Sequence, residues 1–437
     1  MAKSDLQNER YTKQEIGTAW AFGVAIFLLL WMRRPDCLLN AQFWAEDGGL
    51  FFRDQMLYGF AKALVRPYAG YIHVIPRLIA GVAAWLPVRW VPLAYNTCAL
   101  LIDAISCGAF FWPCFRRIIR SDPLRAACCV AMTAAIMPGS ELIATLANVQ
   151  WYLSILSLLL LVAGGSDSTK TTEAVRTIAQ IFILFTAPAT LLFLPILLWQ
   201  LKTRPGLLKV SPALHVSAFC LQIWIMWRFA ERSVKPVLHF NSLFLATTTS
   251  YLSRCVLVPM FGAHYLIPGS EIAMFTKMVV ALIGGVALGT VLILRLRGSI
   301  RLSRLLGGWY VGLGSLVMVL SGRGFAKDFL TLQGIEHFTA ERYFFIGSCM
   351  FIASAGLAID SFTERQKPAI GAALLLGVFA LGIIHNYVVP PFWDFNWRKN
   401  ADKIDKWNMA RKRHERVAAI SFPINPDSWV VYLDGDK

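Results

Sequence analysis

The chain has 437 residues, of which 57% are hydrophobic and only 16% charged, and its mean hydropathy is +0.55. A soluble domain carries about 25% charged residues, so this composition excludes an ordinary soluble protein. It fits a chain that crosses a bilayer repeatedly, at about 20 apolar residues per helical crossing. The net charge of +16 comes from 42 Lys plus Arg against 26 Asp plus Glu. The basic residues fall between apolar runs, where they face membrane lipids or a phosphate-bearing substrate; that placement argues against nucleic acid as a partner.

Lys3, Arg10 and Lys13 precede the first apolar run, and Arg33, Arg34 and Pro35 follow it where a signal peptide needs small residues. The run is therefore expected to stay as an uncleaved first helix, near 16–32. Further spans are predicted near 91–114, 124–138, 149–164, 211–229, 272–295, 305–320, 343–360 and 369–388. The stretch 174–201 contains Thr186-Ala187-Pro188, and a proline disrupts the helix before it. The loops 115–125, 202–209 and 295–304 are short and basic, which places them in the cytoplasm. Only a fold-back at Pro188, with two short helices, keeps all three on one side. The expectation is an all-α polytopic membrane protein of about eleven spans, N-terminus inside and C-terminus outside. The transmembrane domain covers 1–390 and a small C-terminal extramembrane segment covers 391–437. The external side then holds 33–90, 230–271, 321–342 and the tail. The tail is basic, and its β-prone Trp429-Val430-Val431-Tyr432 suggests a small folded cap. The nine cysteines show no metal-ligand spacing and no disulfide framework; most stand in apolar runs as small hydrophobes.

The first external loop reads Phe43-Trp44-Ala45-Glu46-Asp47-Gly48-Gly49-Leu50-Phe51-Phe52. Two readings stand for its carboxylates: an exposed acidic turn, or a desolvated base among interfacial aromatics, ready to deprotonate an acceptor hydroxyl. Farther on, Arg66, His73 and Arg77 suit either a substrate phosphate or lipid headgroups. Residues 71–88 form an amphipathic stretch expected along the membrane surface. Glu141, Asn148, Gln150 and Trp151 lie at an outer helix end, as sugar-binding groups or as caps and anchors. Asp103 sits inside the second span, where an acid is costly. Arg342 and Tyr343 stand at the outer boundary, at the depth of a lipid-linked phosphate, with Arg323 and Lys327 upstream. No nucleotide-binding glycine-rich loop, H-E-x-x-H or G-x-S-x-G occurs, and no cytoplasmic loop is long enough for a nucleotide-sugar domain. A sugar donor would therefore be lipid-linked.

Trp44-Ala45-Glu46-Asp47-Gly48, Pro67-Tyr68-Ala69-Gly70-Tyr71, Pro76-Arg77, Asn148-Val149-Gln150-Trp151, Thr186-Ala187-Pro188 and Glu341-Arg342-Tyr343 follow one another across most of the chain. In this order they resemble the polytopic C-type (GT-C) glycosyltransferase superfamily, which includes protein O-mannosyltransferases and aminoarabinose transferases. The likeness is nearer to bacterial envelope-glycan membrane proteins with a Trp-Ala-Glu-Asp-Gly first loop. The resemblance implies a GT-C-like fold with surface helices in the first loop, a polyprenyl-phosphate sugar donor, a glycan or glycolipid acceptor, and transfer with inversion on the outer face of a bacterial inner membrane. It implies a first-loop acid as base, with Asp47 the first choice and Glu46 the second; the superfamily's familiar order, Asp then Glu, is reversed here. It also implies that Arg342 with Tyr343, and beyond them Arg66, His73 and Arg77, hold the donor phosphate. Members using monophosphate donors need no metal, so none is expected. The competing expectation is a transporter or flippase of a lipid-linked glycan, which fits Asp103 and the broken 174–201 segment.

Overall fold

The computed structural model describes residues 11–137, 139, 141–163, 170–203, 210–229, 240–263, 271–297, 299–323, 341–363, 367–415 and 417–434. Helix α1 (Lys13–Arg33) begins in a capping box, with the Thr12 hydroxyl accepting from the Glu15 N–H. The first loop then carries α2 (Asp36–Leu39), a π-helical turn (Asp47–Phe52), α3 (Arg53–Leu64) and α4 (Val74–Ala83). The bundle continues with α5 (Val91–Gly108), α6 (Asp122–Ala134), α7 (Val149–Ala163), α8 (Lys170–Leu184), α9 (Leu194–Thr203) and α10 (Val210–Phe229). After these come α11 (Phe240–Ser250), α12 (Val258–Phe261), α13 (Glu271–Leu296), α14 (Ile300–Arg323), α15 (Phe345–Phe362) and α16 (Pro368–Asn386). The tail forms α17 (Trp397–Lys412) and an antiparallel hairpin of β1 (Ile420–Ile424) and β2 (Trp429–Leu433). The chain is thus an all-α membrane protein with one small hairpin among the described residues. Six helices there are long and apolar enough to cross a bilayer: 13–33, 88–111, 146–163, 210–229, 341–362 and 368–386.

Helix ends sort into two layers. At one end Arg116 pairs with Glu15 and Asp122, Arg117 donates to the Val162 carbonyl, the Arg120 N–H donates to Asp360, and Arg295 donates to the Ser361 carbonyl. These contacts tie the helix ends together, and this end is basic. At the opposite end buried Arg33 donates to the carbonyls of Ile136, Asn386 and Tyr387, while the Asn386 amide donates to Ala135 and Val258. A buried guanidinium is tolerable there because the last carbonyls of several helices need donors.

Proline does what the sequence suggests at 188. A 3₁₀ turn (Pro188–Phe193) separates α8 from α9. Thr177 and Ser211 share a hydrogen bond of 2.7 Å, Leu184 packs with Ala218, and Gln200 reaches the Leu161 carbonyl. Helix α8 therefore runs parallel to α10 and packs directly on it, while α9 packs on α10 and runs in the opposite direction. Glu173, Thr177 and Gln180 of α8 and Ser211, His215 and Gln222 of α10 are buried polar residues, and Thr177 meets Ser211 between the two helices.

Two expectations change. The sequence reads 230–271 as an external loop. Within it, residues 240–261 are helical and pack on α14, α15 and α16, with Ser250, Ser253 and Arg254 buried. The span near 124–138 is only the 13-residue α6, which ends at Ala134 before the chain turns. The stretch 204–209, most of the expected cytoplasmic loop there, lies outside the described residues. All nine cysteines are free thiols.

The tail folds onto the first loop. Trp397, Ala401, Ile404 and Trp407 form the buried stripe of α17 at helical spacing and meet Phe43, Phe52, Phe422 and Leu433 in one core. The Asn425 N–H donates to the Phe43 carbonyl, and the Ala45 N–H donates back to the Asn425 carbonyl. A side chain at Gly48 would approach Ile424 to 2.9 Å, and one at Gly49 would approach Trp429 to 3.4 Å. Gly48-Gly49 thus admits the hairpin.

Candidate functional site

A cavity of about 260 Å³ lies under the first loop at the capped end. Four parts of the chain build it. The first loop contributes Glu46, Tyr68, Ala69, Tyr71 and His73. The start of α7 and the turn before it contribute Ala147, Asn148, Gln150, Trp151 and Ser154. Ala187, Pro188 and Ala189 come from the fold-back, and Met226, Met318 and Val319 from α10 and α14. Arg342 and Tyr343 close the ring from the turn before α15. One side is therefore polar and aromatic, the other apolar.

The turn 141–148 is the scaffold. The Glu141 carbonyl accepts from the Thr145 hydroxyl (2.5 Å) and the Asn148 amide (2.9 Å). Buried Asp103 accepts from the Ala144 N–H at 3.1 Å. The intramembrane acid thus holds a turn whose Ala144 has a φ of 58°, in the left-handed region.

The two first-loop acids separate. Asp47 is 1% exposed and does not line the cavity; its two oxygens accept the N–H groups of Leu146 (3.0 Å) and Ala147 (2.8 Å). Glu46, its neighbour, lines the cavity. The acid expected first as the base is thus the one turned into the scaffold, and the second choice is the one on the cavity wall. Asp47 clamps the loop to the scaffold, and Glu46 is the carboxylate a ligand can meet. Burial pushes the Asp47 carboxyl up to about 8, against the pull of the two amide donors.

That shift makes stability depend on pH. Between the ordinary value of 3.8 and about 8 the folded loop keeps a proton that the unfolded chain has lost. The contribution of Asp47 to stability is then fullest below about pH 4 and is lost as pH rises through 8. Thermal unfolding in detergent from pH 5 to 8 should show a decline for the wild type that flattens in Asp47→Asn. Parallel curves would refute it.

The expected phosphate cluster divides as well. Arg77 is buried and donates to Asp54 at 3.0 Å and to the Ile72 carbonyl at 2.9 Å, so its charge is spent 23 residues back along the chain. Arg66 is exposed, 3.9 Å from the same Asp54 and over the Tyr58 ring. Neither lines the cavity. His73 does, stacked on Tyr71 at 3.9 Å, and Tyr71 donates to Gln150 at 2.7 Å. His73 immediately precedes α4, with a φ of 59°.

Arg342 lines the cavity, ion-pairs with Glu141 and donates to the Tyr343 hydroxyl at 3.3 Å. Glu141 itself is not on the wall; it stands behind the guanidinium. One residue earlier, Glu341 is buried against Arg254. Trp151 meets Tyr343 edge to face at 5.4 Å. Arg323 ends α14, and Lys327 lies outside the described residues. Sequence reasoning leaves Tyr68, Tyr71, Pro188, Met226 and Met318 out of the candidate set. The first three belong to motifs already visible in the chain; the two methionines carry no signal in an apolar helix.

No protein-family model matches the chain, and a search of curated proteins finds no match.

Proposed function

We propose that the protein is a membrane glycosyltransferase of GT-C-like architecture that moves a sugar from a polyprenyl-phosphate donor to an envelope glycan or glycolipid acceptor. In this reading the chain makes about eleven crossings of a bacterial cytoplasmic membrane, with the basic end inside and the capped end outside. The observation that carries the reading is that Glu46 and Arg342 line one cavity at the end of the bundle, with aromatic rings around them and apolar side chains on the far side.

The chemistry follows from those groups. Glu46 takes the proton of the acceptor hydroxyl, whose oxygen attacks the anomeric carbon from the face opposite the phosphate. The bond from that carbon to the phosphate oxygen breaks, and the configuration inverts. Arg342 stabilises the charge gathering on the departing phosphate, as a planar guanidinium suits two oxygens at once. Trp151 and Tyr71 offer ring faces to the sugar, and the Asn148 amide oxygen, whose NH2 group already serves Glu141 and Thr145, offers an acceptor to a hydroxyl. The apolar wall from α10 and α14 suits the first units of the lipid chain.

Proteoliposomes loaded with a labelled polyprenyl-phosphate sugar and an extracted envelope glycolipid test the reading. Label should move to the glycolipid as free polyprenyl phosphate accumulates. Passage of intact donor across the bilayer without transfer would favour a flippase instead. The orientation has its own test. In a chain whose nine native cysteines are replaced by Ser or Ala, Ser428→Cys should react with an impermeant maleimide from outside the cell, and Arg120→Cys only after permeabilisation. Labelling of both from one side would overturn it.

A further inference from the structure

The charged side chains on the described cavity wall are Glu46 and Arg342, with His73 beside them. Arg254 does not add to this balance, because it is consumed by buried Glu341. Arg342 is itself already paired: Glu141 sits against the guanidinium through Oε2, while its Oε1 is buried without a hydrogen-bond partner among the described residues. The backbone of Glu141 is fixed by Thr145 and Asn148, so its carboxylate cannot retreat far. Burial pushes this carboxyl up, partly countered by Arg342. The guanidinium has a second hold on Tyr343, through the hydroxyl and over the ring at 5.0 Å. Removing the charge of Glu141 therefore leaves Arg342 in the wall.

We infer that Glu141 is a built-in counter-anion that competes with the lipid-linked phosphate for Arg342, so that it holds down affinity for the spent polyprenyl phosphate and speeds its release. This rests on the reading of Arg342 as the phosphate-binding group. A donor phosphate carries fewer charges than the free monophosphate left after transfer. The product, the stronger anion, is the species that would linger on an unopposed guanidinium. A fixed carboxylate a few ångströms away repels it and recaptures Arg342 as it departs.

Binding of a short-chain prenyl monophosphate separates the possibilities, measured on the full-length protein in detergent. Glu141→Gln, with Glu141→Ala as a second variant, is expected to bind roughly 10–100-fold more tightly than the wild type, the effect of deleting one close like charge. Steady-state turnover should fall together with KM, while a single-turnover transfer keeps its rate, the pattern of slowed product release. Weaker or unchanged binding in both variants would overturn the inference and make Glu141 an orienting partner of Arg342. If Arg342→Ala binds the probe as the wild type does, the phosphate-site reading itself fails. That result is distinct from loss of binding in Arg342→Ala with no gain in Glu141→Gln.

Discussion

Glu46→Gln is expected to lower sugar transfer by roughly 10²–10⁴-fold, the range attributed to a general base. The amide keeps the size of the side chain and its place on the cavity wall but cannot accept the acceptor's proton at neutral pH. Binding of prenyl phosphate should survive, because the groups holding it lie across the cavity in the turn before α15. Asp47→Asn should behave differently. One oxygen still accepts an amide N–H, but the other position becomes a donor facing a donor, so the clamp on Leu146 and Ala147 weakens. Its activity should fall in step with its thermal stability, whereas Glu46→Gln should lose activity with unfolding unchanged. Transfer rates in proteoliposomes beside unfolding temperatures in detergent give the comparison. Full activity in Glu46→Gln with a stable, inactive Asp47→Asn would return the base to Asp47.

How far these roles are legible in the sequence depends on how far away their partners lie. The Trp44-Ala45-Glu46-Asp47-Gly48 segment is conspicuous, and two adjacent acids must point apart on any regular backbone. Which of them faces the cavity is set by the amides of Leu146 and Ala147, about a hundred residues away. The room at Gly48-Gly49 is taken by Ile424 and Trp429 of the tail, partners that the local sequence does not reveal. Arg77 reads as a phosphate ligand until Asp54 claims it. The fold shows the same division. Strongly apolar helices such as α1, α7, α10 and α16 stand out by hydropathy, and Pro188 marks the fold-back locally. The helical stretch 240–261 does not, because Thr247, Ser250, Ser253 and Arg254 lower its hydropathy while tertiary contacts bury them. The hairpin's strand propensity is visible in Trp429-Val430-Val431-Tyr432, but its seat on the first loop is not.

Arg342→Ala is the second variant expected to have a large effect, on the order of 10²–10³-fold in transfer, as for removal of one group that stabilises developing charge. Two consequences of the change act together. The phosphate loses its planar donor, and Glu141 is left buried without its cation, so repulsion of the anion is no longer offset. Arg342→Lys separates them. Lysine restores a positive charge beside Glu141 but not the two-pronged geometry, and it cannot stack on Tyr343 in the same way. Partial recovery is therefore expected, with donor affinity returning more fully than turnover. The double variant Arg342→Ala, Glu141→Gln supplies the remaining term. If the unpaired carboxylate is part of the defect, the double variant should bind prenyl phosphate better than Arg342→Ala alone, while its transfer rate stays low because no cation faces the leaving phosphate. A double variant no better than the single one would show that the whole loss lies in the missing guanidinium.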